Sequence, residues 1–184
     1  FIYMNAFWQS LLITPFLASI GCKSDGGLSA GDVAPDFLLK GSDGNSYQLS
    51  SYTGKKAVVL AWFPKAFTGG CTKQCKAIAE SSAALKEYEA VYFTISCDPL
   101  EGKKGIVRFA ESLSVDYPIL SDSSKSVAEQ YGVLGDVLPF PKRWTFYIGK
   151  NGRILKIDKS VKTGSSGDDI AVTLGELKVP KVNL

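Results

Sequence analysis

The run Ala57–Phe63, AVVLAWF, is apolar without a break and partly β-branched. A strand with one wet face alternates apolar and polar residues. An unbroken run this short fits a strand covered on both faces of a sheet. Pro64 to Gly70 reads as a loop, and a helix is expected over Cys71–Glu89, with Ile78, Leu85 and Tyr88 on one stripe. The alternation then recurs. Val91–Ser96 (VYFTIS) reads as a second buried strand, Lys104–Leu113 as a helix, Tyr117–Leu120 as a short extended piece, and Ser124–Tyr131 as a helix stopped by Gly132. Trp144–Ile148 and Arg153–Ile157 form a hairpin about Asn151-Gly152, and Asp168–Leu177 is a closing helix with acidic residues at its start. Ahead of all of these, Phe37–Leu39 and Tyr47–Leu49 pair around the turn residues Ser42-Asp43-Gly44-Asn45.

This order predicts an α/β chain of thioredoxin-like layout: a central mixed sheet flanked by helices, with an N-terminal β-hairpin. Residues 31–184 are read as one domain, because neither an internal repeat nor a second composition block interrupts them. Residues 6–21 carry no charge and end at small residues before Cys22, after which the chain turns polar and Gly/Ser-rich. Interrupted by Pro15 and short for a membrane span, residues 1–21 read as a signal-like segment and 22–30 as a linker. Ser19-Ile20-Gly21-Cys22 resembles a bacterial lipoprotein cleavage box, with Ser19 where Leu is usual. The expectation is an exported, periplasmic or membrane-tethered protein, with Cys22 as the lipidation candidate.

The chain has no histidine. That removes Ser-His-Asp and Cys-His nucleophile pairs, His-ligated metal sites and imidazole acid–base chemistry together. A net charge of +3 with no run of basic residues gives no footprint for nucleic acid. Four cysteines, Cys22, Cys71, Cys75 and Cys97, are too few for a disulfide scaffold in 184 residues and read as individually placed thiols.

The chemistry concentrates in Phe63–Cys75, FPKAFTGGCTKQC. Here a buried strand passes through a loop into the first turn of a helix. Unpaired backbone N–H groups and the positive end of the helix dipole favour a thiolate there. Gly69 and Gly70 let the backbone approach closely enough to line a small anion-binding concavity.

Pro64-x-x-x-Thr68-x-x-Cys71 resembles the active-site pattern of the peroxiredoxins of the alkyl hydroperoxide reductase/thiol-specific antioxidant group. GDVAPDF, TISCDP, YPILSD, VAEQYGV and RWTFYIGKNGRI are similar to other landmarks of that family, over roughly Gly31–Leu177. The nearest likeness is to the peroxiredoxin Q, or bacterioferritin comigratory, type. The resemblance implies a peroxidase in which Cys71 attacks the peroxide and becomes a sulfenic acid. It implies that Thr68 hydrogen-bonds thiolate and substrate, that Pro64 shields the sulfur, and that Arg143 stabilises the thiolate and polarises the peroxide. It further implies hydrogen peroxide or small organic hydroperoxides as substrates, a thioredoxin-like dithiol protein as reductant, no metal or organic cofactor, and a monomer or weak dimer.

Cys75 follows Cys71 by one helical turn and shares its face, which makes it the candidate resolving cysteine. The peroxiredoxin Q type commonly places that residue five positions on, so this chain departs by one. Cβ atoms one turn apart lie about 5–6 Å from each other, against roughly 3.8 Å in a disulfide, so a Cys71–Cys75 link needs the helix start to unwind. Cys97 reads as a small core side chain. Two other functions share this layout. A Cu(I)-binding assembly protein would use the two thiolates but lacks the downstream histidine such proteins add. A thiol-disulfide oxidoreductase wants two intervening residues, and here there are three.

Overall fold

A computed structural model describes residues 27–182. The signal-like segment 1–21 and the lipidation candidate Cys22 lie outside the described residues.

Seven strands form one sheet: β1 (Leu38–Gly41), β2 (Ser46–Gln48), β3 (Ala57–Trp62), β4 (Ala90–Ser96), β5 (Ile119–Ser121), β6 (Thr145–Ile148) and β7 (Ile154–Asp158). Their order across the sheet is β2-β1-β5-β4-β3-β6-β7. The β3–β4 and β4–β5 pairs are parallel, and the β1–β2, β1–β5, β3–β6 and β6–β7 pairs are antiparallel. The sheet is therefore mixed, as expected, and the N-terminal hairpin extends it instead of packing on it.

The helices are α1 (Gly69–Glu80), α2 (Ser82–Lys86), α3 (Ile106–Leu113), α4 (Ser126–Gln130) and α5 (Ser166–Glu176). The apolar run of β3 resolves into two faces. Val58, Leu60 and Trp62 join Phe93, Ile95, Leu120, Tyr131 and Phe146 on one side. Ala57, Val59, Ala61 and Phe63 join Ile78, Leu85, Phe109, Ile170 and Leu174, from α1, α2, α3 and α5, on the other. Burying side chains of this size stabilises the fold by about 1.5–3 kcal/mol each. Both cores are needed, because neither face of β3 offers a polar group to water.

The single helix expected over Cys71–Glu89 is two helices, which turn at Ser81. The cause lies far along the chain. Gly167, in the first turn of α5, comes so close that a Cβ there would stand 2.3 Å from the Ala77 carbonyl oxygen and 2.5 Å from Ser81 Oγ. Ser81 Oγ donates to Asp168 Oδ1 at 2.7 Å. The chain then leaves the helix, and Tyr88 bridges to Lys181 beside β4. The helix around Ser124–Tyr131 is also shorter than expected, because the buried Asp122 carboxylate accepts from Ser124 Oγ and the Ala128 N–H and holds the lead-in as a turn.

Candidate active site

The end of β3 is fixed from both sides. The Trp62 N–H donates to the Trp144 carbonyl at 2.9 Å, and the Phe63 N–H donates to the Ile95 carbonyl at 3.0 Å. The first of these bonds places the residue after Arg143 against the strand that feeds the loop. The chain then turns sharply at Phe67, whose φ of 61° lies in the left-handed region. The Phe67 ring meets Phe109 edge-on at 5.1 Å, a contact that holds the turn. Thr68 is the N-cap of α1, and the first helical bond runs from the Thr72 N–H to the Thr68 carbonyl at 2.9 Å. The helix thus begins two residues earlier than expected, and Cys71 is its third residue. The N–H groups of Gly69, Gly70 and Cys71 have no earlier helical carbonyl to bond, so Cys71 stands in the first turn, at the positive end of α1.

Cys71 is fully buried, beneath the exposed stretch Phe67–Gly70. Arg143 Nη2 donates to Cys71 Sγ at 3.3 Å. Nη1 of the same guanidinium donates to Oε1 of Gln74, a fully buried residue of the next turn of α1. Arg143 is therefore oriented by a neutral acceptor, and no carboxylate within this trio competes with the sulfur for its charge. A Cβ on Gly70 would stand 3.5 Å from Arg143 Nη2, in ordinary van der Waals contact, so the guanidinium packs against the backbone of this helix turn.

The loop itself hangs on Asp98. Its buried carboxylate accepts from the Ala66 N–H at 2.7 Å and Ser96 Oγ at 2.6 Å, and pairs with Lys65. Ser121 Oγ donates to the Asp98 carbonyl at 2.7 Å and ties that residue to β5.

Cys71, Cys75 and Cys97 are free thiols. Cys75 is fully buried on the same face of α1 as Cys71, and both enter the same apolar cluster. Burial pushes the Cys75 thiol up to about 12, and contacts with the Thr94 and Tyr117 hydroxyls only partly offset that. Cys97 packs against the opposite core, across the sheet from Cys71, and burial pushes its thiol up to about 12 as well. Among the described residues, no group of three or more His, Cys, Asp or Glu side chains comes together that could hold a metal ion.

Residues 30–157 match the family model of the AhpC/TSA family. Peroxiredoxin Bcp of Escherichia coli K12 is 33% identical over 155 residues, covering 81% of this chain and 97% of the relative. The chain belongs to the AhpC/TSA family. Chloroplastic peroxiredoxin Q of Triticum aestivum is 36% identical over 128 residues, covering 69% of this chain and 57% of that protein. The crystal structure of the peroxidoxin BcpB from Mycobacterium tuberculosis superposes with a TM-score of 0.72 at 33% identity, covering 81% of this chain and 97% of that one. The thioredoxin-like α/β fold expected from the sequence is thus the fold of this peroxiredoxin.

Within this AhpC/TSA chain, the expected site residues converge, with one difference. Pro64, Thr68, Cys71, Cys75 and Arg143 all lie at the junction of β3, α1 and the lead-in to β6. The Thr68 hydroxyl, however, donates to the Lys65 carbonyl at 2.8 Å and not to the Cys71 sulfur. Pro64 is half-buried at the base of the loop. Sequence reasoning singled out neither Gln74 nor Asp98. Gln74 could have been found as the residue three positions after Cys71, on the same helical face. Asp98 lies inside the TISCDP run, but its partner Ala66 is 32 residues away, so nothing local marks its role.

Proposed function

We propose that this peroxiredoxin reduces hydrogen peroxide and small organic hydroperoxides at Cys71. The contact that supports this reading most directly is the 3.3 Å approach of Arg143 Nη2 to Cys71 Sγ at the start of α1. Guanidinium and helix terminus both favour negative charge on the sulfur and then on the departing oxygen. The Cys71 thiolate attacks the terminal oxygen of ROOH. The O–O bond breaks, RO⁻ takes up a proton and leaves as ROH, and Cys71 becomes a sulfenic acid. Thr68 exchanges its Lys65 acceptor for the bound peroxide and orients it. Pro64 and the loop keep bulk water off the sulfur.

Cys75 resolves the sulfenic acid. Its thiol displaces water from Cys71, an S–S bond forms, and a thioredoxin-like dithiol protein reduces the disulfide. Because both sulfurs are buried one turn apart on a formed helix, the first turns of α1 unwind at this step. Cys97, on the other face of the sheet, is the poorer resolving candidate. The residues before the domain fit export and tethering through a lipid on Cys22, which would anchor the domain without altering its chemistry. A monomer or weak dimer completes this reading.

The test is peroxide turnover with a thioredoxin system for the wild type beside Cys71→Ser, Cys75→Ser and Cys97→Ser. Activity should vanish with Cys71, fall with Cys75 and persist without Cys97. Full turnover without Cys75 means a one-cysteine cycle that uses an external thiol. Retained turnover without Cys71 overturns the reading.

A further inference from the structure

We propose that the hydroxyls of Thr94 and Tyr117 cage Cys75, Thr94 at its thiol and Tyr117 at its backbone carbonyl, and that opening this cage governs how the Cys71 sulfenic acid divides between disulfide formation and over-oxidation. The proposal rests on the resolving role of Cys75 given above.

The cage is a polar island in an apolar core. Cys75, Thr94 and Tyr117 are 0%, 0% and 6% exposed. Their cluster is otherwise built from side chains such as Val59, Ile78, Phe109 and Ile119. Cys75 Sγ donates to Thr94 Oγ1 at 3.9 Å. The Tyr117 hydroxyl donates to the Cys75 carbonyl at 3.0 Å and so holds the backbone of the same residue. Thr94 sits on β4 and Tyr117 just ahead of β5, and these strands pair through Thr94 and Ile119, so both hydroxyls come from one rigid support. The Tyr117 ring is backed by Tyr92 at a centroid distance of 5.3 Å. Away from water such contacts persist, because breaking one leaves a buried donor or acceptor unmatched.

The consequence is kinetic. In the caged position the Cys75 thiol is protonated, since burial pushes it up to about 12, and it is held at helical spacing from Cys71. Capture therefore waits for the second turn of α1 to leave Thr94 and Tyr117. In that step Cys71–S–OH and Cys75–SH give Cys71–S–S–Cys75 and water: the S–O and S–H bonds break as the S–S and O–H bonds form. The competing step needs no unwinding. A second ROOH converts the sulfenic acid to Cys71 sulfinic acid and leaves as ROH. A tighter cage favours the second outcome, and a looser one the first.

The test compares the full-length wild type with Tyr117→Phe, Thr94→Val and Thr94→Ser. The rates of peroxide reaction and of disulfide formation are resolved by stopped-flow fluorescence, and products are assigned by mass spectrometry. Tyr117→Phe should speed disulfide formation by roughly three- to tenfold, the worth of one buried hydrogen bond, and lower the sulfinic fraction at high peroxide. Thr94→Val should act in the same direction, and Thr94→Ser, which keeps the hydroxyl, should stay near the wild type. The rate of the first peroxide step should not move in any of them. A Cys71–Cys75 disulfide that forms at the wild-type rate or more slowly in both Tyr117→Phe and Thr94→Val overturns the cage alone. Absence of that disulfide in the wild type after one equivalent of peroxide removes the resolving role of Cys75, and the cage with it.

Discussion

Arg143 holds Cys71 and Gln74 with the two arms of one guanidinium, Nη2 on the sulfur at 3.3 Å and Nη1 on the amide oxygen. Two successive turns of α1 are thereby tied to the chain that enters β6. The cation that stabilises the sulfur is also a brace on the helix that carries it. Unwinding α1 for disulfide formation must break both contacts, so attack and resolution place opposite demands on one side chain.

Removing the guanidinium should remove most of the chemistry. Arg143→Met is expected to lower the second-order rate constant with hydrogen peroxide by about 100- to 1,000-fold, the usual loss for one preorganised donor at a developing anion. Arg143→Lys should recover only part of it, because an ammonium cannot span the sulfur and Gln74 with fixed geometry. Stopped-flow peroxide consumption measures both. Equal rates for Arg143→Lys and the wild type would show that charge alone suffices.

Gln74 should separate activity from stability. Gln74→Met takes away the acceptor that aims Arg143, and a misaimed group near the reacting atoms can cost up to about 100-fold. We expect a rate loss of about 10- to 100-fold. The same change removes Gln74 Nε2, a buried atom without a hydrogen-bond partner, so urea unfolding should move by no more than about 1 kcal/mol. A stable variant with the wild-type rate would show that Arg143 aims itself.

Asp98 should matter for both. Asp98→Ala leaves the Ala66 N–H without its acceptor and releases Lys65 and Ser96. A loss of about 2–4 kcal/mol in urea unfolding is expected, because a buried network loses its centre. Peroxide reactivity should fall as well, since Ala66 anchors the loop that leads to Thr68. Ser121→Ala, which loses only the bond to the Asp98 carbonyl, should cost about 1 kcal/mol and leave the rate near the wild type.

What the sequence made legible follows the range of the forces involved. The unbroken Ala57–Phe63 run announced a doubly covered strand, because burial on both faces excludes polar residues from the whole segment. The placement of Cys71 at a strand-to-helix junction was equally plain, since glycines and proline punctuate the chain locally. The turn at Ser81 was not, because it arises from the approach of Gly167, which no residue near Ser81 encodes. The Asp98 carboxylate and the Thr94 and Tyr117 hydroxyls escaped for the same reason. Their partners lie 32, 19 and 42 residues away and meet only when the sheet closes. Family resemblance gives the Thr68 hydroxyl to both thiolate and substrate, and in this structure it donates to the Lys65 carbonyl.

The buried Cys75 and half-buried Cys97 thiols should also leave a mark in alkaline solution. In the unfolded chain a cysteine ionises near pH 8.5, whereas burial pushes Cys75 and Cys97 up to about 12 in the folded protein. Above about pH 8.5 the unfolded state has released protons that the native state keeps, so it binds fewer. Stability therefore falls as pH rises, and these groups add no slope below that range. The urea midpoint should decline between about pH 8.5 and pH 10, before tyrosines add to the trend. Cys75→Ala should be less stable overall yet show a shallower decline. An unchanged slope in that variant would mean that Cys75 ionises in the folded protein as it does in the unfolded chain.

The central claim, that Cys71 is the sulfur oxidised by peroxide, is tested most directly by trapping its product. In Cys75→Ser, reduced and then given one equivalent of hydrogen peroxide in the presence of dimedone, the adduct should appear on Cys71 within the time of peroxide consumption. Cys71→Ser should form no adduct and consume no peroxide faster than buffer. An adduct on Cys97 instead, or rapid peroxide loss in Cys71→Ser, would contradict the account.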